Sequence, residues 1–376
     1  MEYWSTIEDD NLINVDKMTF FLQSEFSNSE ADQIWSAEYF KWKLGSHNPA
    51  GRGYISLAMV DDRVIGSISL TKKRILINGE EYLGAEIGDS YTSISIRRRG
   101  RPFHLSPFND NPKSYLNRSV FGQLVSDVRR RAEIDGVSII YGSPNANSYT
   151  GYIKNLNFFD LEWCVNTLFM RPSLGYFVKR YPSLEFISPL FRGIESFLIK
   201  IHKSIHSRIF NRGIIYKYSI PPESMINDLW DRLKPAIGFS LVRDSPYWHY
   251  RYTNHPLAEY SFLSLYENNI LVGIVVTRLY SIGDGKNIVS IAEWMCESRV
   301  GFGSILIEIV NYYRDFDIYY FNFWTGISSQ EAKAARRNMF FSSKRIPIIF
   351  ADTAQVRSLL VDEFEMKIYL GSTDNV

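Results

Sequence analysis

Two stretches of this chain run through the same elements in the same order, and any fold that holds one must hold the other. In the first, apolar and alternating runs predict strands at Gly53–Val60, Arg63–Leu76 and Tyr82–Ile94, with tight turns at "DDR" (61–63) and "NGEE" (78–81). A helix follows over Ser119–Ile134, where Val120, Leu124, Val125 and Val128 share one face, and then a strand, Val137–Tyr141. In the second, Tyr260–Glu267, Ile270–Tyr280 and Asn287–Glu297 read as strands turning at Asn268–Asn269 and Gly283–Lys286. A helix over Ser304–Tyr313 and a strand over Asp317–Trp324 complete it.

The flanks repeat as well. "EYFKWKLGSHNPAGRGY" (38–54) and "PYWHYRYTNHPLAEY" (246–260) both run aromatic, then Lys or Arg, then His and Pro, then an extended strand. Gly66 to Glu86 spans twenty residues, and so does Gly273 to Glu293. Duplication explains these coincidences. The expected division is an N-terminal unit over 1–170, a connecting segment over 171–217 and a C-terminal unit over 218–376. The connector holds nine Lys or Arg against two Glu. Within it, 191–212 reads as an amphipathic helix, with Phe191, Ile194, Leu198, Ile201 and Ile205 at helical spacing. Basic charge beside an apolar stripe suits either a helix packed between the units or peripheral contact with an anionic membrane.

Several function classes are disfavoured. A net charge of +1 argues against bulk attraction to nucleic acid. Two cysteines, Cys164 and Cys296, cannot build a disulfide framework or a zinc ribbon, which fits a reducing cytoplasm. The start, "MEYWSTIEDDNL", shows no signal peptide, and no apolar run is long enough to span a bilayer. His202 and His206 are four residues apart, too few ligands for a metal site.

The richest chemistry lies in "EIGDSYTSISIRRRG" (86–100) and "IIYGSPNANSYTGYIKNLNFF" (139–159). The first runs from a carboxylate-bearing strand into three arginines and a glycine ahead of a helix. That composition suits a phosphate, since helix N-termini, close backbone approach and positive charge all favour one. The second is a buried strand that ends in more hydrogen-bonding side chains than a turn needs.

Together these stretches resemble the GNAT acyltransferase superfamily. Arg97-x-x-Gly100 matches the start of its pyrophosphate motif, and the 139–158 stretch is similar to the later part, including Asn145, Tyr152, Leu156 and Phe158. The likeness covers about residues 35–165 well and 240–350 loosely. It departs after Gly100, where Arg101 and Pro102 open an insertion before the helix; Pro102 has no N–H to offer.

The resemblance implies an α/β protein with two tandem GNAT-like domains, each a mixed, mostly antiparallel central sheet flanked by helices, the second degenerate. It implies acetyl-CoA, or another acyl-CoA, as co-substrate and no metal. Arg97, Arg98 and Gly100 would contact the pyrophosphate, with Ser119, Phe121 and Gly122 at the helix start and Asn145 beyond. Glu86 and Asp89 are the alternatives for a base; three apart, they point to opposite faces of a strand unless a bulge intervenes. Tyr152, or Tyr149, would be the acid. The implied acceptor is the amine of an amino sugar in bacterial surface-polysaccharide synthesis. Two rivals stand beside this: a tRNA-dependent aminoacyl transferase of the peptidoglycan-bridge type, and a duplicated scaffold without catalysis.

Overall fold

The computed structural model of the protein describes residues 5–6, 12–26, 35–93, 119–170, 213–282, 286–326, 329–338, 340–360 and 366–367. Arg97, Arg98, Gly100 and the 191–212 segment lie outside them.

The chain begins with β1 (Ser5–Thr6), α1 (Leu12–Glu25) and α2 (Ala37–Leu44), followed by β2 (Tyr54–Val60), β3 (Arg63–Ile77) and β4 (Glu80–Thr92). The residues between these three strands take the left-handed conformation, φ 46° and 62° at Asp61 and Asp62, 49° and 88° at Asn78 and Gly79. Two-residue turns of this kind match the strand twist, so Asp-Asp and Asn-Gly set the register. Then come α3 (Val120–Ile134), β5 (Ile139–Gly142), α4 (Ala146–Asn155) and β6 (Phe158–Met170).

After the connector the order returns. β7 (Ile214–Lys217), α5 (Glu223–Leu233), β8 (Phe239–Leu241) and α6 (Ser245–Trp248), which continues as a π-turn over 249–253, lead into β9 (Ser261–Glu267), β10 (Ile270–Ile282) and β11 (Lys286–Cys296). α7 (Phe302–Tyr312), β12 (Ile318–Gly326), α8 (Gln330–Arg337), β13 (Phe341–Ala351), α9 (Ala354–Leu359) and β14 (Met366–Lys367) complete the described elements. Asn268 and Asn269, at φ 49° and 64°, repeat the left-handed turn of the first set.

The expected mixed, mostly antiparallel sheet flanked by helices is present, and it is continuous. Its strands run β1-β2-β3-β4-β5-β13-β6-β12-β11-β10-β9-β7. The order is palindromic, because β2–β5 mirror β9–β12. At the centre each half has exchanged its last strand. β5 pairs with β13 (Ile349–Gly142, Phe350–Tyr141), while β6 pairs with β12 (Phe321–Met170 to Gly326–Val165). β6 and β13 pair with each other along the middle.

Each half buries one sheet face beneath its long helix. Val120, Leu124, Val125, Val128 and Ala132 of α3 pack on Ile68, Leu70, Ala85 and Ile87. Ile305, Leu306 and Ile309 of α7 pack on Val289, Ile291, Phe321 and Phe323. A third core, with Trp248, Phe239, Tyr141 and Phe350, joins the halves across the opposite face.

The repeated flanks meet at the join. Trp42 and Tyr250, which align in the repeat, stack with ring centroids 4.7 Å apart and planes 14° from parallel. Trp42 Nε1 donates to the Tyr250 carbonyl at 3.0 Å, and the Tyr250 hydroxyl donates to the Lys43 carbonyl at 3.1 Å. His255 packs against Trp42, with centroids 4.4 Å apart, and its Nδ1 accepts the Leu257 N–H at 3.1 Å.

Candidate active site

β4 and β5 pair in parallel for only three residues: Gly84–Ile139, Ala85–Ile140 and Glu86–Tyr141. A Cβ on Gly142 would lie 2.8 Å from Ile87 Cγ2 and 3.1 Å from the Ile87 carbonyl oxygen, so only glycine lets the end of β5 rest there. Beyond this contact β5 turns away into Ser143 and Pro144, and β4 runs on without it.

There β4 bulges. Ser67 faces Tyr91 and Ser69 faces Gly88, so Asp89 and Ser90 together stand opposite Ile68 alone. Asp89 takes φ 48°, an uncommon conformation for a residue inside a strand. The extra residue brings Asp89 to the face that Glu86 occupies. Ser69 and Lys73 lie four apart on β3 and share a face. Ser69 Oγ donates to Asp89 at 2.5 Å, and Lys73 Nζ stands 3.5 Å from Glu86. Lys43 Nζ, from the end of α2, donates to Asp89 at 2.7 Å, with its side chain 3% exposed. Ser67 Oγ donates to the Asp89 carbonyl at 3.3 Å. Glu86 is buried, as are Ser67, Ser69, Thr71 and Lys73. Two carboxylates three apart thus share one face.

The polar turn after β5 first of all caps a helix. Asn145 Oδ1 accepts the amides of Asn147 and Ser148, both at 3.0 Å, and starts α4. α4 presents two tyrosines. The Tyr149 hydroxyl donates to the Asp160 carboxylate, and that bond raises the phenol above its ordinary pKa. Tyr152 is buried between the edges of Phe121 and Phe158, with centroids 5.1 and 4.9 Å away. Burial pushes its phenol well up, against a hydrogen bond with Ser90 that draws it down. Tyr152 therefore touches the bulge.

Ser119 caps α3, its Oγ accepting the Gly122 amide at 3.3 Å, and no acidic residue lies in the first turn. That turn keeps the dipole of a fifteen-residue helix uncompensated by carboxylates, as a phosphate requires. Phe121, Tyr152 and Ser90 thus form one connected set beneath α3, while the Asp89 and Glu86 carboxylates lie with Ser69 and Lys73 on the other face of the sheet. Ser119, Gly122 and Asn145 hold helix starts at the margin of that set.

The second half answers differently. Glu293 is fully buried and accepts the hydroxyls of Tyr247 and Tyr252 at 3.1 and 3.0 Å, with Arg243 Nε 3.4 Å away. It stands opposite Val276, three residues after Gly273, whereas Glu86 stands opposite Thr71, five after Gly66. The equal spacings of twenty therefore do not place the two glutamates in the same register. The β11 bulge falls at Ala292, earlier than the bulge of β4. α7 starts at Gly301 with no side-chain cap.

Sequence reasoning missed Lys43, Lys73, Ser67 and Ser69. Signals existed: a cation follows the aromatics in both repeat flanks, and "GSISLTKK" places polar groups at every second position of β3. Among the described residues no cluster of His, Cys, Asp and Glu could hold a metal ion, and no helix is long and apolar enough to cross a membrane.

Comparison with solved structures identifies the fold. A probable N-acyltransferase from Enterococcus faecalis superposes with a TM-score of 0.59 at 12% identity, over 96% of this chain and 74% of that one. A GCN5-related N-acetyltransferase from Anabaena variabilis gives 0.61 at 10% identity, over 93% and 72%. The N-myristoyltransferase of Saccharomyces cerevisiae, solved with bound myristoyl-CoA, gives 0.56 at 9% identity, over 93% and 82%. The protein therefore has the fold that these acyltransferases share. No protein-family model and no curated protein sequence matches it.

Proposed function

We propose that the protein is a CoA-dependent N-acyltransferase that moves an acetyl group from acetyl-CoA to the amine of an amino sugar, in the synthesis of a surface polysaccharide. The observation that carries the reading is the parting of β4 from β5 after Glu86–Tyr141, beside a bulge that turns the buried carboxylate of Glu86 and the half-buried one of Asp89 to one face. The fold, whose solved examples include one with an acyl-CoA bound, supports it. The acceptor class rests on the sequence resemblance alone.

In this reading the acyl-CoA lies in the gap between the strands, with its pyrophosphate toward the start of α3 and toward Arg97, Arg98 and Gly100. The acceptor amine attacks the thioester carbonyl and loses a proton, and CoA leaves as the thiol. Of the two carboxylates we assign Glu86 as base. Asp89 already accepts Lys43 and Ser69 at 2.7 and 2.5 Å, whereas Lys73 stands farther from Glu86, at 3.5 Å. Tyr152, whose phenol burial keeps protonated, is the acid. The division into units over 1–170 and 218–376 belongs to the same reading, as does the 191–212 segment as a helix packed between the units or in contact with anionic lipid.

Calorimetric titration with acetyl-CoA tests the core claim, and no binding by the intact chain refutes it. Tyr152→Phe should then lower turnover at least about tenfold with affinity kept, the low end of positioned acid catalysis. Glu86→Gln should abolish the acidic limb of the pH profile, where turnover rises as the base loses its proton, because a neutral amide takes no proton. Unaltered turnover in Tyr152→Phe removes Tyr152 from the mechanism and turns attention to Tyr149.

A further inference from the structure

We infer that Lys43 and Tyr250 form a brace through which the second half of the chain fixes the β4 bulge, and with it the orientation of the acyl carbonyl. The inference rests on the acyl-CoA reading above. Seven non-glycine residues have a left-handed φ among those described, and six of them sit at turns: Asp61, Asp62, Asn78, Asn157, Asn268 and Asn269. Asp89 alone lies within a strand. Backbone strain of this kind persists only where the surroundings over-determine it, and it collects at functional sites.

The surroundings here are specific. The Asp89 carboxylate accepts Lys43 Nζ at 2.7 Å and Ser69 Oγ at 2.5 Å, and its carbonyl accepts Ser67 Oγ at 3.3 Å. Lys43, with its side chain 3% exposed, is a buried charge that Asp89 compensates. It stands in the last turn of α2, where helix carbonyls lack partners within the helix. Its carbonyl finds one across the join, the Tyr250 hydroxyl at 3.1 Å. Trp42, one residue earlier, donates to the Tyr250 carbonyl and stacks on the Tyr250 ring. A path of direct contacts therefore runs from the second half, through Tyr250 and Lys43, to Asp89 and Ser90. The second half has no matching strain, since its bulge at Ala292 lacks a left-handed residue. The brace acts in one direction, and the residues named here are positioning residues.

The test uses the full chain and acetyl-CoA labelled with carbon-13 at the carbonyl. Tyr250→Phe removes one hydroxyl and keeps the stack. Acetyl-CoA affinity should be unchanged by calorimetry, while the infrared carbonyl band of the bound thioester should move back toward that of the free thioester. Amide exchange at 88–91 should rise about five- to tenfold, the factor for one lost hydrogen bond, with exchange elsewhere constant. Lys43→Met should exaggerate both effects; if it does not fold, Tyr250→Phe and Lys43→Arg decide. Lys43→Arg keeps the cation and should retain the wild-type band. A band that stays put in Tyr250→Phe, with acetyl-CoA still bound, overturns the brace alone. Failure of the wild-type chain to bind acetyl-CoA overturns the acyl-CoA reading, and the brace with it.

Discussion

Glu293 offers the sharpest test of what holds the second half together. It is 0% exposed, Arg243 beside it is 1% exposed, and their closest atoms are 3.4 Å apart. Glu293→Gln keeps an oxygen for the Tyr247 and Tyr252 hydroxyls but removes the charge. Arg243 is then a buried cation without its carboxylate, and breaking a buried pair in this way costs about 3–5 kcal/mol. Glu293→Ala also strands two buried hydroxyls, at about 1–3 kcal/mol each. Whole domains are stable by about 5–15 kcal/mol, so the alanine variant should be unfolded or nearly so, and the glutamine variant folded but weak. Arg243→Met with Glu293→Gln removes both charges and should recover most of the loss, since replacing a whole buried pair is often neutral. Urea unfolding of wild type, both single variants and the double variant measures this as a coupling energy, expected at about 2 kcal/mol or more. A Glu293→Gln protein within about 1 kcal/mol of wild type would refute the argument.

Other outcomes follow from single contacts. Asn145→Ala removes the cap of α4 and should cost about 1 kcal/mol, read from the urea midpoint. Gly142→Ala drives a methyl into Ile87 and should cost about 1–3 kcal/mol, with acetyl-CoA binding weakened if β5 shifts. Burial raises the phenols of Tyr152, Tyr247 and Tyr252, so each binds its proton more tightly folded than unfolded. That stability is fully present below about pH 10 and is lost as the pH rises beyond it, with a slope approaching about 4 kcal/mol per pH unit for the three groups. Urea midpoints flat up to about pH 9 and falling steeply by about pH 11 are expected. An unchanged midpoint at the higher pH would show that these hydroxyls ionise in place.

Local signals carried much of the architecture. Asp61–Asp62, Asn78–Gly79 and Asn268–Asn269 fixed hairpins, because a two-residue turn with left-handed φ is a property of those residues alone. The faces of α3 and α7 were equally legible, since helical periodicity needs no distant partner. The exchange of β6 and β13 was not, because pairing between strands far apart leaves no trace in either one. The site shows the same boundary. Glu86, Asp89 and Tyr152 are visible as residue types, but one extra residue at Asp89–Ser90 decides which face a carboxylate takes, and an inserted residue looks like any other in the sequence. Lys43 reaches Asp89 from forty-six residues away, so only the repeat of a cation in both flanks could have pointed to it.

The exchanged strands also set a timetable. β5 leaves the ribosome about 200 residues before β13, its neighbour in the sheet. At roughly 5–20 residues per second, translation leaves that edge open for about 10–40 s. An uncovered edge is a template for pairing with other nascent chains, so during synthesis the first half is at its most vulnerable to aggregation and to chaperone capture. It also means that neither half can inherit a finished sheet by itself: a gene split at the connector would yield two products that must find each other before either could close.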